Sequence, residues 1–178
     1  MKNIAALLGL ALLGACSSDN KSGTAADAKT ITFNDFEAVA GWSIDPGLLD
    51  KGRAHSGQYA IKVDKDHEFS LTFDLPLGQV SPRKFRIVHL EAWAFRASEK
   101  ATGFLGVQVV EPSTGQQVFL DGIKLLDADK TPNKWVAVSK DIALPDNITS
   151  AQHLRFALWR AGSEDTVLLD DVKLSIKD

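Results

Sequence analysis

The stretch from Phe85 to Ala97, FRIVHLEAWAFRA, carries the clearest pattern in the chain. Apolar residues occupy alternate positions of this stretch, namely Val88, Leu90, Ala92 and Ala94. The alternate set is His89, Glu91, Trp93 and Phe95. Successive side chains of a β-strand point to opposite faces, so this period of two predicts a strand. Since both faces carry apolar residues, we expect this strand in the middle of a sheet.

The same alternation recurs on both sides of this strand, and no segment of helical length keeps the apolar spacing of an amphipathic helix. Turn sequences such as Asp45-Pro46-Gly47 and Pro112-Ser113-Thr114-Gly115 separate the alternating segments. About nine short strands with turns between them predict an all-β fold, a β-sandwich of two antiparallel sheets. The further strands are predicted at Ile31–Phe36, Tyr59–Val63, Phe69–Leu75, Phe104–Val110, Gln117–Leu120, Trp135–Ile142, Leu154–Trp159 and Val167–Ile176.

The composition limits the class of molecule. The chain has 178 residues, of which 44% are hydrophobic, and a formal net charge of −3. Residues 30–178 are numerous enough for one domain with a core of its own. A small negative charge provides no electrostatic footprint for nucleic acid, so we expect no nucleic-acid partner.

The sequence offers little for catalysis. It contains no Gly-x-Ser-x-Gly elbow, no His-Glu-x-x-His pair and no phosphate-binding glycine loop. Its adjacent acidic pair, Asp170 and Asp171, falls on opposite faces of a strand, whereas glycoside hydrolysis needs two carboxylates facing one cleft. We therefore expect a protein that is not an enzyme.

The first residues follow the plan of an export signal. Lys2 supplies the positive start, Ile4 to Leu13 form a short apolar run, and the sole cysteine of the chain follows at Cys16. The sequence Leu13-Gly14-Ala15-Cys16 resembles the lipobox of bacterial lipoproteins. It implies a signal peptide at 1–15, removed before a cysteine that carries lipid such as palmitate. A free thiol after an ordinary signal peptide is the alternative.

Residues 17–29 contain no large apolar side chain and predict a flexible tether, so the domains are 1–15, 16–29 and 30–178. Ser17, rather than an acidic residue, follows the cysteine, which resembles lipoproteins sent to the outer membrane of Gram-negative bacteria. The resemblance implies an exported, lipid-anchored protein, with the face of the membrane left open. We expect a monomer.

A set of short sequences, taken in order, resembles the carbohydrate-binding-module-like jelly rolls of the galactose-binding-domain type. The resemblance spans Ile31 to Ile176 and implies a β-sandwich jelly roll. The resemblance implies the function of the protein less directly than its fold, since one fold serves many functions. The sequences are Asn34-Asp35-Phe36-Glu37, Gly41-Trp42, His55-Ser56-Gly57-Gln58-Tyr59-Ala60, Ala92-Trp93, Trp135-Val136-Ala137-Val138-Ser139 and Leu169-Asp170-Asp171-Val172-Lys173-Leu174.

Modules of this kind often hold a structural Ca²⁺, and the resemblance implies Glu37, the carbonyl of Gly57 and Asp170 as ligands, with Asp35 as a spare. Carboxylate and carbonyl oxygens are the ligands that calcium takes. Asp170 shares the phase of Val172 and Leu174, so its side chain should point inward. The alternative is that the carboxylates pair with Arg53 or Lys51, or accept backbone amide protons.

Sugar binding in such modules uses aromatic rings beside polar side chains, on the face of a sheet that points away from the core. Trp93 and Trp159 alternate with core-type residues, as do Glu91, Gln108 and Arg155. If their three strands share one sheet, these five residues line a groove that binds glycan. The alternative is that both tryptophans lie in the core, since a slip of one residue exchanges the faces. We expect Trp42, Trp135 and Tyr59 in the core.

Two functions remain at this point. The first is a membrane-anchored, non-catalytic lipoprotein that recognises glycan or polysaccharide. The second is a surface or periplasmic scaffold that binds protein and no small ligand. Exposed Trp93 and Trp159 would favour the first, and two buried tryptophans would favour the second.

Overall fold

The computed structural model describes residues 30–39, 45–70, 73–128 and 130–177. The predicted signal peptide, Cys16, the tether and Trp42 lie outside these residues. No helix in the described ranges is both long and apolar enough to cross a membrane.

The described chain is built almost wholly from strands, as the alternation predicted. A short 3₁₀ helix, Pro46–Leu48, and two four-residue helices, α1 (Leu77–Val80) and α2 (Leu125–Ala128), lie between strands. The strands are β1 (Thr30–Asn34), β2 (Leu49–Lys51), β3 (Tyr59–Val63), β4 (Phe73–Pro76), β5 (Ile87–Arg96), β6 (Phe104–Val110), β7 (Gln117–Lys124), β8 (Trp135–Ala143), β9 (His153–Trp159) and β10 (Val167–Lys177).

These strands form two antiparallel sheets. The first, called sheet A, has the order β2-β3-β10-β5-β8, with β1 also paired to β10. The second, sheet B, has the order β4-β9-β6-β7. The predicted sandwich of two antiparallel sheets is therefore confirmed, and β5 lies inside sheet A between β10 and β8, as its two apolar faces indicated.

The core follows directly from the alternation. In β5 the set from Val88 to Ala94 is buried, and its alternate set is only half-buried. In β6 the buried set is Leu105, Val107 and Val109, and in β9 it is Leu154, Phe156 and Leu158. These faces of the two sheets pack against each other, so burial of apolar surface holds the sandwich together. Tyr59 packs against this core, as predicted.

The position of Trp135 differs from the one that the sequence predicted. It is half-buried and pairs with Phe95 in the register of β8 and β5, on the face of sheet A that points away from sheet B. Its ring contacts Phe95, with centroids 5.6 Å apart, and lies 6.0 Å from the ring of His55. The prediction that Trp135 is a core residue was wrong, because Val138 and Ile142 occupy the core phase of that strand.

Strand β10 breaks where it changes partners. Its first residues pair with β3 and its last residues pair with β1 along the same edge, while β5 follows the other edge. At the change, Asp171 adopts a φ of 48°, and the register against β5 shifts between Asp170 and Lys173. This bulge leaves Asp170 fully buried beside the start of β3.

Asp170 ties the loop before β3 to this bulge. Its Oδ2 accepts amide protons from His55 (2.8 Å) and Ser56 (3.0 Å), and its Oδ1 accepts the amide proton of Asp171 (2.7 Å). Glu37 holds the next part of the loop, because its Oε1 accepts from the amides of Gln58 (2.8 Å) and Tyr59 (2.7 Å). Two carboxylates thus satisfy the backbone of one turn.

We predict that Asp170→Asn lowers the free energy of unfolding by about 2 kcal/mol, because the amide NH₂ replaces an acceptor and leaves a buried backbone donor without a partner. Urea denaturation measures the change. The control is Asp66→Asn at an exposed position, where we expect a change within about 0.5 kcal/mol. Equal stability of the two variants would contradict this role for Asp170.

Candidate functional site

The five residues of the predicted groove do not lie on one face. Glu91 and Trp93 are in β5 of sheet A, whereas Gln108, Arg155 and Trp159 are in β6 and β9 of sheet B. The assumption that the three strands share a sheet was therefore wrong. In sequence, β6 follows β5 closely, but the loop between them crosses from one sheet to the other. All five residues have the outward phase that the alternation predicted.

The outward face of sheet B carries a row of three aromatic residues. Phe69 bridges to Trp159, and Trp159 pairs with Phe104, so the row crosses three neighbouring segments of the chain. The rings of Phe69 and Trp159 are nearly parallel, at 15°, with centroids 6.3 Å apart. Phe69 is 52% exposed and Trp159 is 39% exposed. Their ring surfaces are therefore available to a ligand.

Glycines set the shape of the face beside this row. Gly106 and Gly122 are paired on β6 and β7, and the ring of Phe104 covers both. A Cβ on Gly122 would lie 1.9 Å from the carbonyl oxygen of Leu105, so no side chain fits there. On β9 the paired position is Ala157. These small residues lie in the strip of sheet B next to the aromatic row, which we call the sheet B trough, and the Phe104 ring covers its two glycines.

A polar row forms the far side of the sheet B trough. Asp74 pairs with Arg155, and Arg155 pairs with Gln108. Both Nε (2.9 Å) and Nη2 (2.6 Å) of Arg155 donate to Asp74 Oδ2, and Nδ1 of His153 contacts the other oxygen. Burial alone would raise the pKa of Asp74, but the hydrogen bonds from Arg155 and His153 hold the pKa below its ordinary value. The guanidinium is thereby fixed on the face.

Further polar and apolar groups border the aromatic row. The indole Nε1 of Trp159 donates to Glu68 Oε1 at 3.2 Å, which fixes the orientation of the ring. A cavity of about 460 Å³ opens between Trp159, Phe104 and α2. The exposed side chains of Leu120 and Leu126 line it together with Lys124 and Asp127. The row therefore combines exposed apolar surface with hydrogen-bonding groups at its borders.

The outward face of sheet A presents its tryptophan differently. The imidazole of His55 stacks on the ring of Trp93, with centroids 3.7 Å apart and an angle of 12°. His55 is held there by Asp171, whose Oδ2 lies 2.6 Å from Nδ1. Among the described residues, the ion-pair contacts of Glu91 are long, 3.9 Å to Lys173 and 3.7 Å to His89. One face of Trp93 is thus already covered by the protein.

The residues that the resemblance implied for calcium do come together. Glu37 approaches Gly57 so closely that a Cβ there would lie 2.5 Å from Glu37 Cδ, and Gly57 has a φ of 61°. Asp170 reaches the same turn through the amides of His55 and Ser56. Asp35 accepts the amide proton of Glu37 at 3.2 Å and stays with its own turn. The prediction that Asp170 points inward is confirmed.

The donors around these carboxylates match the alternative of backbone capping. Both oxygens of Asp170 and one oxygen of Glu37 accept amide protons, while Arg53 pairs instead with Asp50. Burial raises the pKa of Asp170, against the lowering effect of its amide hydrogen bonds. In the described ranges, no three His, Cys, Asp or Glu side chains are grouped to hold a metal. The oxygens are of a type that Ca²⁺ accepts, and amide hydrogens approach both oxygens of Asp170 and Oε1 of Glu37.

Phe69, Phe104 and Glu68 were not foreseen as parts of a site. Phe104 alternates with Leu105 and Val107, so its outward phase was readable from the sequence. Phe69 lies before β4, and only its bridge to Trp159 brings it to the row. Glu68 has no sequence signal at all, because its contact with Trp159 spans 91 positions.

Comparisons with known proteins yielded matches to solved structures alone. No protein-family model matches the chain, and no curated protein does. The CBM22-2 xylan-binding domain of Paenibacillus barcinonensis Xyn10C aligns with a TM-score of 0.55 and 16% identity, over 83% of this chain and 99% of that chain. The tandem CBM22-1 and CBM22-2 domain of the same protein aligns with a TM-score of 0.57 and 16% identity, over 84% and 50%.

A further solved structure, a xylan-binding domain from CBM22, aligns with a TM-score of 0.52 and 16% identity, over 84% of this chain and 96% of that chain. At such identities the likeness concerns the fold. The predicted fold class is confirmed: the chain is a β-sandwich jelly roll similar to those of carbohydrate-binding modules.

Proposed function

We propose that the protein is a non-catalytic module that binds polysaccharide across the outward face of sheet B. The observation that carries this proposal is the pair of exposed, nearly parallel rings of Phe69 and Trp159 beside a fixed polar row. Aromatic rings stack on the apolar faces of sugar rings, and polar side chains hydrogen-bond the hydroxyls. Both kinds of group are held rigidly by strands.

The dimensions of the sheet B trough suit an extended ligand. Four residues along a strand separate Trp159 from Arg155, which corresponds to about 13 Å. The ring of Phe104 covers Gly106 and Gly122, and Ala157 is the small residue between Trp159 and Arg155, so a chain of sugars lying across the strands meets rings on one side. On the other side it meets Arg155 and Gln108.

Sheet B is preferred over sheet A because of what covers the tryptophans. His55 already occupies one face of Trp93, whereas Trp159 is 39% exposed and is fixed by Glu68. We therefore assign Trp159, Arg155 and Gln108 to the site. Binding by Glu91 and Trp93 stays a prediction for the opposite face.

The class of ligand is supported by the fold. The CBM22 domains of similar structure are described as xylan-binding. We propose a polysaccharide for this chain on that likeness and on the trough together. The alternative function is a scaffold that binds protein, and the exposed side chains of Leu120 and Leu126 beside the rings favour it as the second candidate.

We predict that Trp159→Ala and Phe69→Ala each weaken polysaccharide binding about tenfold or more, a loss of about 1.4 kcal/mol. Isothermal titration against a panel of polysaccharides that includes xylan measures the affinity. The control is Phe33→Ala, which removes a 56% exposed ring from sheet A. If no polysaccharide binds the unaltered protein, the scaffold function replaces this proposal. An equal loss of affinity in Phe33→Ala would contradict the placement of the binding site on sheet B.

We also propose that the protein is exported and anchored by lipid on Cys16 to the outer membrane of a Gram-negative bacterium, as a monomer. The support is the sequence Leu13-Gly14-Ala15-Cys16 after a short apolar run. Several acyl chains hold a protein firmly to a bilayer, whereas one chain alone holds it weakly.

Mass spectrometry of the protein extracted from membranes tests the anchor. We expect an N-terminal peptide that begins at Cys16 and carries the mass of acyl chains, and we expect Cys16→Ser to abolish both the processing and the added mass. An unmodified cysteine, or cleavage at another position, would argue for an ordinary exported protein.

Calcium at the turn of Glu37, Gly57 and Asp170 stays a prediction. If the ion binds there, a concentration of 1,000 times its dissociation constant stabilises the fold by about 4 kcal/mol. We then expect the melting temperature to rise when calcium is added and to fall with a chelator. A melting temperature that the chelator leaves unchanged would leave amide capping as the role of these carboxylates.

A further inference from the structure

The two ends of the sandwich differ, and the chain enters at one of them. Thr30 pairs with Ser175 near the end of β10, and Lys177 pairs with Ile87 at the start of β5. The loops 77–86, 111–116 and 144–152 close this end, which we call the entry end. The loops 64–68, 97–103, 125–134 and 160–166 close the opposite end.

Charge is divided unevenly between these ends. The three loops of the entry end carry three basic residues against two acidic ones, and the four loops of the opposite end carry five basic residues against eight acidic ones. The basic residues of the entry end are Arg83, Lys84 and Arg86, close together in a single loop. The side chain of Arg86 is 78% exposed, and its Nη1 lies 3.5 Å from Oδ1 of Asp146, whose side chain is also exposed. The entry end is therefore the positive end of a molecule whose net charge is negative.

A cavity of about 360 Å³ opens at this basic loop. Leu77 and Phe85, both buried, and the half-buried Ile148 provide apolar surface inside it. The cavity is also lined by Arg83, Lys84, Ser81 and Ser150. Nζ of Lys84 donates to the carbonyl oxygen of Asp146, and Oγ of Ser81 donates to that of Arg83. Two loops form its walls, joined by hydrogen bonds from the amides of Leu77 and Gly78 to the carbonyls of Gln152 and Ser150. Cationic and hydroxyl groups around an apolar interior suit a phosphate attached to an apolar body.

We propose that the entry end docks on the surface of an anionic phospholipid bilayer, with a phosphate headgroup at this cavity. The inference rests on the proposed anchor at Cys16. Thirteen residues lie between Cys16 and Thr30, and the fourteen extended residue steps from one to the other reach at most about 50 Å. Because the chain enters at the basic end, the segment that leads from the anchor joins the sandwich there.

The anchor by itself leaves the orientation free, since its reach exceeds the length of the sandwich, about 35 Å for the eleven residues of β10. Basic side chains next to an anionic surface then select one orientation. The repulsion of the acidic end acts in the same direction. In this orientation Trp159 and Phe69, which lie toward the opposite end, point away from the membrane.

The inference can be tested with protein that is coupled chemically to a lipid through Cys16, whether or not the cell adds lipid there. The chain from Cys16 to Asp178 keeps every contact described above, and its sole cysteine couples to a maleimide phospholipid in nanodiscs. We expect amide hydrogen exchange in residues 77–86 and 144–152 to slow in discs that contain phosphatidylglycerol, relative to discs of phosphatidylcholine. High salt should remove the difference.

The matched variants carry three charge changes each. The triple variant R83A/K84A/R86A should reduce the docked population on the order of 100-fold, since each basic side chain contributes about fivefold. The control K65A/K100A/K134A at the opposite end should keep the protection. Polysaccharide binding by both variants in solution reports an intact sandwich. Equal exchange in the two kinds of disc, or equal loss in the two variants, would overturn the docking proposal without affecting the proposed anchor or glycan site.

Discussion

The buried carboxylate of Asp170 is the constraint on which the arrangement of sheet A depends. It lies where β10 passes from β3 to β1, and it satisfies the amides of His55, Ser56 and Asp171 at that break. A buried carboxylate needs hydrogen-bond donors, and the amides of a loop need acceptors, so the hydrogen bonds between them satisfy both groups. The loop is consequently held against sheet A, where His55 covers Trp93.

This constraint separates the two outward faces in their chemistry. On sheet A, the loop at 52–58 brings its own side chains onto the aromatic residues of the face. On sheet B, Phe69 and Trp159 keep exposed ring surface that no loop side chain covers in the described residues. The pair of exposed, nearly parallel rings therefore belongs to the sheet that lacks the first and last strands. The entry end carries the basic loop, so the rings and the cations lie at different ends.

The periodicity of single strands was enough to predict much of this. The strands at Tyr59–Val63 and Phe104–Val110 have the predicted bounds, and β5 differs from its prediction by a few residues. Outward phases were correct for Trp93 and Trp159, because alternation is a local property of extended backbone. The three-residue strand β2 was missed, since Leu49–Lys51 is too short to show a period.

The sequence by itself determined the fold class and, in strands such as β5, β6 and β9, the residues that face the core, because each is encoded in neighbouring positions. Tertiary structure alone decided which strands share a sheet, and so divided Glu91 and Trp93 from Gln108, Arg155 and Trp159. It also decided that Glu68 fixes Trp159 and that His55 covers Trp93. The physical reason is that these contacts join residues far apart in the chain, and alternation within a strand carries no information about its neighbours.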